Sequence, residues 1–241
     1  MHILSWNLNH RTLEKTIPTG VIDVIRSLCP DILILNEYVD GPSRDLFKSE
    51  LGRIGLGEIE ISHASRGQNQ ILIASRFTHT PGDLQPPDIT EHSKTNFLHR
   101  RFANSALEVV GIRVPAFKEP ELQRAYWRML SEIVLSVGSR RIVFIGDFNA
   151  NPERPSTVGG ASMCELRQKG WQIPVPDGAW SYTSHDGSQT SRIDHAIVST
   201  QIVVESARYC YYENGIQIAG PKTVEPLSDH AALSIVLRQA S

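Results

Sequence analysis

Short runs of Ile, Val and Leu punctuate this chain at 2–6, 31–35, 70–74, 107–114, 141–145, 193–198 and 232–237. Near-continuous apolar runs of this length suit strands covered on both faces rather than strands with one wet side. Between them lie helical patterns. Leu122, Ala125, Tyr126, Met129, Leu130, Ile133, Val134 and Val137 form one stripe, the spacing of a helix laid on a sheet, and Gly138 supplies a stop. Weaker helical patterns cover 19–28, halted by Pro30, and 43–51. Residues 78–101 and 151–160 read as long loops, the second followed by a short helix and a further loop at 174–191. Strands alternating with helices early and paired strands late predict an α/β sandwich built of mixed sheets. No internal repeat, low-complexity tract or linker divides the chain, so 1–241 reads as one domain.

The polar residues at the edges of these runs narrow the chemistry. The first run ends at Trp6-Asn7, the second at Asn36-Glu37, and the fifth at Gly146-Asp147-Phe148-Asn149. The sixth opens with Arg192-Ile193-Asp194, and Ser228-Asp229-His230 precedes the last. Strand ends converge on one rim in layered α/β folds, where binding sites form. Such a rim would gather Asn7, Glu37, Asp147, Asn149, Asp194, Asp229 and His230. Glu37 with an Asp suits Mg2+, a hard cation that takes oxygen ligands. The cation and His230 would neutralise charge on a phosphoryl group. Asp147 would orient and deprotonate a water, Asn7 and Asn149 would fix the carboxylate and the phosphate, and Asp194 would hold the His230 ring. No Ser or Cys stands in a nucleophile-elbow context, which favours direct attack by water. Each motif also has an ordinary structural reading. Trp6-Asn7 could be a core Trp beside a turn, Glu37 an exposed strand end, Gly146 to Asn149 a turn, Arg192 to Asp194 a surface ion pair, and Ser228-Asp229 a capping turn. The weight lies in all five occurring in this order.

Composition excludes some alternatives. The formal net charge is −2, so no global basic field draws in polyanions, although local patches remain open. Cys29, Cys164 and Cys210 form no CxxC pair; they predict neither a disulfide framework nor a thiolate metal site, and each reads as a small buried side chain. The start of the chain has no signal-peptide pattern and no run approaches a membrane span, so a soluble, cytoplasmic protein is expected. Nothing points to an obligate protein partner, and a monomer is expected.

At these residues the sequence resembles the endonuclease/exonuclease/phosphatase superfamily. The resemblance runs through Leu4-Ser5-Trp6-Asn7, the segment from Asp31 to Glu37, and the stretch from Ile71 to Arg76. It continues through Gly146-Asp147-Phe148-Asn149, Ser191-Arg192-Ile193-Asp194 and Leu227-Ser228-Asp229-His230. It implies a four-layered α/β sandwich, two mixed sheets face to face with helices outside. It implies Mg2+ or Mn2+ held mainly by Glu37 with Asn7 and Asp229 nearby, Asp147 helped by Asn149 as the activator of water, and His230 with Asp194 at the scissile phosphate. Two positions depart from the pattern: the acidic residue usually preceded by Gln is here Asn36-Glu37, which keeps the acid, and the other lies at the end of the central strand. Many members end the central strand in a His or Tyr that touches the phosphate, and here that position is Arg113. An Arg can grip phosphate through its fork but cannot act as an acid at neutral pH; it could also be an outward strand residue.

Substrate is less legible. Trp180 and Tyr182 could stack on a base or wedge a duplex, or simply close the core beneath a loop. His79, His92, Lys94, His99, Arg100 and Arg101 in the 78–101 loop could meet a polyanion at the cleft rim or be solvated. Three functions follow: a nuclease acting on DNA or RNA, a phosphatase or phosphodiesterase acting on a small or lipid-derived phosphate, and a silent binding module. The complete set of acid, amide and imidazole groups speaks for an enzyme, and nucleic acid is the expected substrate.

Overall fold

The computed structural model describes residues 1–10, 12, 17–63 and 67–238, with the side chains of Ser43 and His92 outside the description. In chain order the elements are β1 (His2–Asn7), α1 (Thr19–Leu28), β2 (Ile32–Tyr38), α2 (Asp45–Arg53), β3 (Glu58–Ile61), β4 (Gln70–Ser75) and β5 (Thr80–Pro81). Then come α3 (Glu91–Thr95), β6 (Phe97–Phe102), β7 (Leu107–Arg113), α4 (Pro120–Ser136), β8 (Ile142–Asp147) and α5 (Val158–Gln168). The remainder is strand: β9 (Tyr182–Thr183), β10 (Thr190–Ser191), β11 (Asp194–Val198), β12 (Val204–Cys210), β13 (Tyr212–Glu213), β14 (Ile216–Gln217) and β15 (Ala232–Leu237).

The long strands form two mixed sheets, one ordered β12-β15-β1-β2-β4-β3 and the other β11-β8-β7-β6-β5. All seven apolar runs lie in these sheets, and the α/β sandwich expected from them is present. Gly111 in β7 shows how closely the sheets approach. A Cβ there would lie 2.7 Å from Ile71 Cγ2 and 3.0 Å from Ile34 Cγ2 of the facing sheet, tighter than van der Waals contact allows. Outer helices cover the far faces. Val110, Ile112, Phe144 and Ile197 pack with Tyr126, Trp127, Leu130 and Val134 of α4 and Met163 and Leu166 of α5. Val21, Val24 and Ile25 of α1 and Phe47 and Leu51 of α2 join the core of the larger sheet.

Strand direction then builds a rim. β1 and β2 are parallel, so their C-terminal residues Asn7 and Glu37 lie at one end, while antiparallel β15 begins there after His230. In the second sheet β7 and β8 are parallel and end at Arg113 and Asp147, which are register partners, and antiparallel β11 begins there at Asp194, opposite Asp147. Side chains alternate along a strand. Val109, Val143, Ile145 and Ala196 belong to the core shared with the larger sheet, so Arg113, Asp147 and Asp194, an even number of residues away, share their face.

Several expectations are corrected. Residues 78–101 are not one loop: they hold β5, α3 and most of β6. The β6 sequence Phe-Leu-His-Arg-Arg-Phe has no continuous apolar run, because buried His99 and Arg100 are compensated by carboxylates rather than replaced by Val or Ile. The 151–160 loop ends early, since Thr157 caps α5 by accepting the Gly160 N–H at 3.2 Å. The 174–191 loop carries the small hairpin β9–β10. Cys29 is exposed and Cys164 half-buried, leaving only Cys210 buried. Cys29 caps α1 in the left-handed conformation, φ 47°, and that chain reversal turns it outward.

Candidate active site

Glu37 owes its position to a local irregularity. The β2–β4 register shifts between Leu35 and Tyr38, and Glu37 itself has φ 54°, in the left-handed region that costs a non-glycine residue about 1 kcal/mol or more. Regular alternation would place Glu37 on the face of Leu33 and Leu35. The bulge re-aims it into the cleft, where Oε1 meets Arg113 Nη2 at 2.7 Å and Oε2 meets His10 Nε2 at 3.0 Å.

Asp147 is buried and gripped from three sides. Asn7 Nδ2 donates to Oδ2 at 3.1 Å, and the Asn149 backbone N–H donates to Oδ1 at 2.9 Å. Asn149 Nδ2 bridges the Val114 carbonyl at 2.7 Å and Asp147 Oδ2 at 3.4 Å. Asn149 has φ 46°, a conformation Asn tolerates better than most residues, and it turns the chain back over the carboxylate. Burial and the neighbouring Asp194 push the Asp147 carboxyl up to about 6, against the pull of His230 and Arg113.

His230 lies beside it. Its Nδ1 is 2.8 Å from Asp194 Oδ2, which leaves Nε2 as the remaining donor. Burial opposes the charged ring, but Asp194, Asp147 and Asp229 outweigh it and raise the pKa to about 9. The ring is further fixed by Tyr182, whose centroid is 5.1 Å away. Ser228 Oγ donates to the Asn7 carbonyl at 2.7 Å and accepts the His230 N–H at 3.0 Å, pinning the start of β15 to the end of β1. Ser181 Oγ accepts the Ile193 and Asp194 N–H groups in the same manner.

The acidic residues fit a hard cation. Asp229 is half-buried, and its pKa is raised by burial and further by the charge of Glu37, with His230 opposing. A carboxyl whose ionisation is opposed by burial and by a neighbouring carboxylate marks a place where a cation would lower the energy. Asn7 turns its amide nitrogen to Asp147 and its Oδ1 to the Asn9 N–H, 2.9 Å away. A separate trio, Asp83, His99 and Glu108, also brings ligand atoms within 4.8 Å of one another. It sits toward the opposite end of β7 and is filled by Arg140 and Arg101, which pair with both carboxylates.

The structure thus gathers Asn7, Glu37, Asp147, Asn149 and Arg113 through direct contacts, and sets the Asp194–His230 pair beside them, Asp194 being the register partner of Asp147, with Asp229 adjoining His230 and Tyr182 on its ring. Trp180 makes none of these contacts: its ring lies tilted against Tyr211 with centroids 4.6 Å apart, its backbone N–H donates to Tyr211 Oη, and its side chain is partly buried against the core. The basic cluster of the sequence reading is also spoken for. Arg100 pairs with Glu60, Arg101 with Asp83 and Glu108, and Lys94 with Asp88 and Glu91. His99 pairs with Glu108, and His79 accepts from Arg100. His92 lies outside the described side chains. His10 and Ser181 were missed; His10 follows the first run by a few residues and carries no motif of its own. A cavity of about 580 Å3 opens beside His10 and Arg113, lined also by Asn69, Phe117, Lys118 and Glu119.

A buried carboxyl held above its usual range beside an imidazole–carboxylate pair is the kind of perturbed cluster that marks a candidate active site. The chain belongs to the Endonuclease/Exonuclease/phosphatase family, whose sequence model matches residues 4–230, and is by that membership a phosphoester hydrolase. No curated protein sequence matches it. Solved structures do match in fold. An AP endonuclease from Archaeoglobus fulgidus has TM-score 0.73 at 16% identity, covering 98% of each chain. A 3' phosphatase, NExo, from Neisseria, bound to a product DNA hairpin, has TM-score 0.69 at 18% identity over 99% of each chain. Truncated TDP2 from Caenorhabditis elegans has TM-score 0.68 at 16% identity, covering 99% of this chain and 97% of that one. These likenesses agree with the four-layered sandwich, and no described helix is long and apolar enough to cross a membrane.

Proposed function

We propose that this chain, acting as one catalytic domain, hydrolyses phosphodiester bonds of nucleic acid by attack of an activated water, with Mg2+ or Mn2+ as cofactor. The observation that carries the reading is Asp147: a buried carboxylate held by Asn7 and Asn149, next to the Asp194–His230 pair. Asp147 takes the proton of the attacking water, and its raised pKa makes it a better base than a solvated carboxylate. His230, positively charged at neutral pH, donates from Nε2 to a phosphoryl oxygen while Asp194 holds the other nitrogen. Glu37, with Asp229 and Asn7 nearby, would hold the metal, which when bound supplies charge neutralisation at the phosphate. Arg113 adds a second cation and Tyr182 steadies the imidazole.

Nucleic acid is favoured because a solved structure of the same fold carries DNA. The cavity beside Arg113, of a size that encloses small ligands, supports the second reading, a small or lipid-derived phosphate ester. Nicking of supercoiled plasmid in Mg2+, run beside phosphate release from simple monoesters, separates the two. The expected result is nicking that stops in excess EDTA. Monoester turnover without nicking would transfer the proposal to the small-substrate reading, and activity surviving EDTA would remove the metal.

A further inference from the structure

Arg113 lies between two carboxylates of the cleft. Its Nη2 is 2.7 Å from Glu37 Oε1, and its Nε is 3.7 Å from Asp147 Oδ2, beyond hydrogen-bond reach. That Nε is buried and makes no hydrogen bond. The other Glu37 oxygen is met by His10. Both oxygens of this carboxylate therefore face nitrogen, and one of those nitrogens carries a permanent charge, since a guanidinium does not titrate in a protein. A divalent ion on Glu37 would share its oxygen with that charge, and two cations so close repel strongly.

We propose that Arg113 is a displaceable counter-cation of Glu37: it leaves the carboxylate when a divalent ion binds there and turns its fork to the scissile phosphate. This rests on the metal-dependent reading given above. The position of the side chain supports the exchange. Its unsatisfied Nε already points beside Asp147, the group assigned to the attacking water, and the cavity it lines is where an anion would enter. A phosphate oxygen would satisfy Nε and offer the fork a bidentate partner. A neutral side chain at this place would impose no competition on the metal. The consequence is coupling. Phosphate draws Arg113 off Glu37 and so tightens the metal, and by linkage the metal tightens phosphate to the same degree.

Calorimetric titration of the full chain with Mg2+, with and without inorganic phosphate, tests this in the wild type, Arg113→Met, Arg113→Lys and Glu37→Gln. Without phosphate, R113M is expected to bind Mg2+ about tenfold tighter than the wild type, and R113K, which keeps the charge, to stay near it. Phosphate is expected to tighten Mg2+ in the wild type and to lose that effect in R113M. An R113M protein with native circular dichroism and wild-type or weaker Mg2+ affinity would overturn the exchange while leaving the metal site standing. Equal Mg2+ binding by the wild type and E37Q would instead overturn the metal assignment itself, and the exchange with it.

Discussion

The decisive side chains each need a partner to be useful. Asp194 is an example: its carboxylate touches His230 Nδ1, and its backbone is tied by Ser181 Oγ and by Tyr209 Oη donating to its carbonyl at 2.8 Å. Asp194→Asn keeps the shape but removes the charge that orients and charges the imidazole. Steady-state kinetics should show kcat reduced about a hundredfold with the fold intact. A rate within twofold of the wild type would reduce Asp194 to a structural residue. Arg113 is the residue where the sequence left two readings open, a phosphate ligand or an outward strand position. Its contacts with Glu37 and Asp147 settle its direction into the cleft.

At the scale of elements, the β7–β8 pair carries much of the site, and Gly146 is what lets it. Gly146 has φ 151°, and a Cβ there would lie 1.9 Å from the Ile112 carbonyl of the parallel neighbour. Gly146→Ala must part the strands that end at Arg113 and Asp147. Urea unfolding should show a loss of about 3 kcal/mol, with activity falling further than stability explains. An unchanged midpoint would mean that the strands do not meet here. Elements were legible in the sequence where burial was apolar. β1, β2, β4, β7, β8, β11 and β15 announce themselves as Ile, Val and Leu runs, and their polar ends marked Asn7, Glu37, Asp147, Asp194 and His230. β6 was illegible because its buried His99 and Arg100 are neutralised by Glu108 and Glu60, partners distant in sequence or on another sheet. β12 was illegible because several of its residues face solvent. The bulge that aims Glu37 leaves no mark in composition, and neither does the tilted contact of Tyr211 with Trp180.

Across the whole molecule, stability and catalysis draw on the same two-sheet architecture. His195 sits on β11, beside Asp194 but on the opposite face, buried, with Nε2 bonded to the Arg192 carbonyl at 2.9 Å. Burial lowers its pKa to about 4, whereas in the unfolded chain it returns to about 6.5. Between these values the unfolded state binds the extra proton, so stability is full above about pH 6.5 and drains as the pH falls toward 4, by about 3 kcal/mol in all. Urea midpoints at neutral and mildly acidic pH should show this fall, and His195→Gln should flatten it. The same steepness in H195Q would place the acid sensitivity elsewhere.

The central claim is that side chains from the first strand to the last act together on one phosphorus. The most direct measurement is the Mg2+-dependent rate of phosphodiester cleavage by Glu37→Gln, Asp147→Asn and His230→Ala, each confirmed as folded. Every one of the three is expected to lose about a thousandfold or more in kcat/KM. Wild-type rates in folded variants would show that these residues share a rim without sharing a reaction.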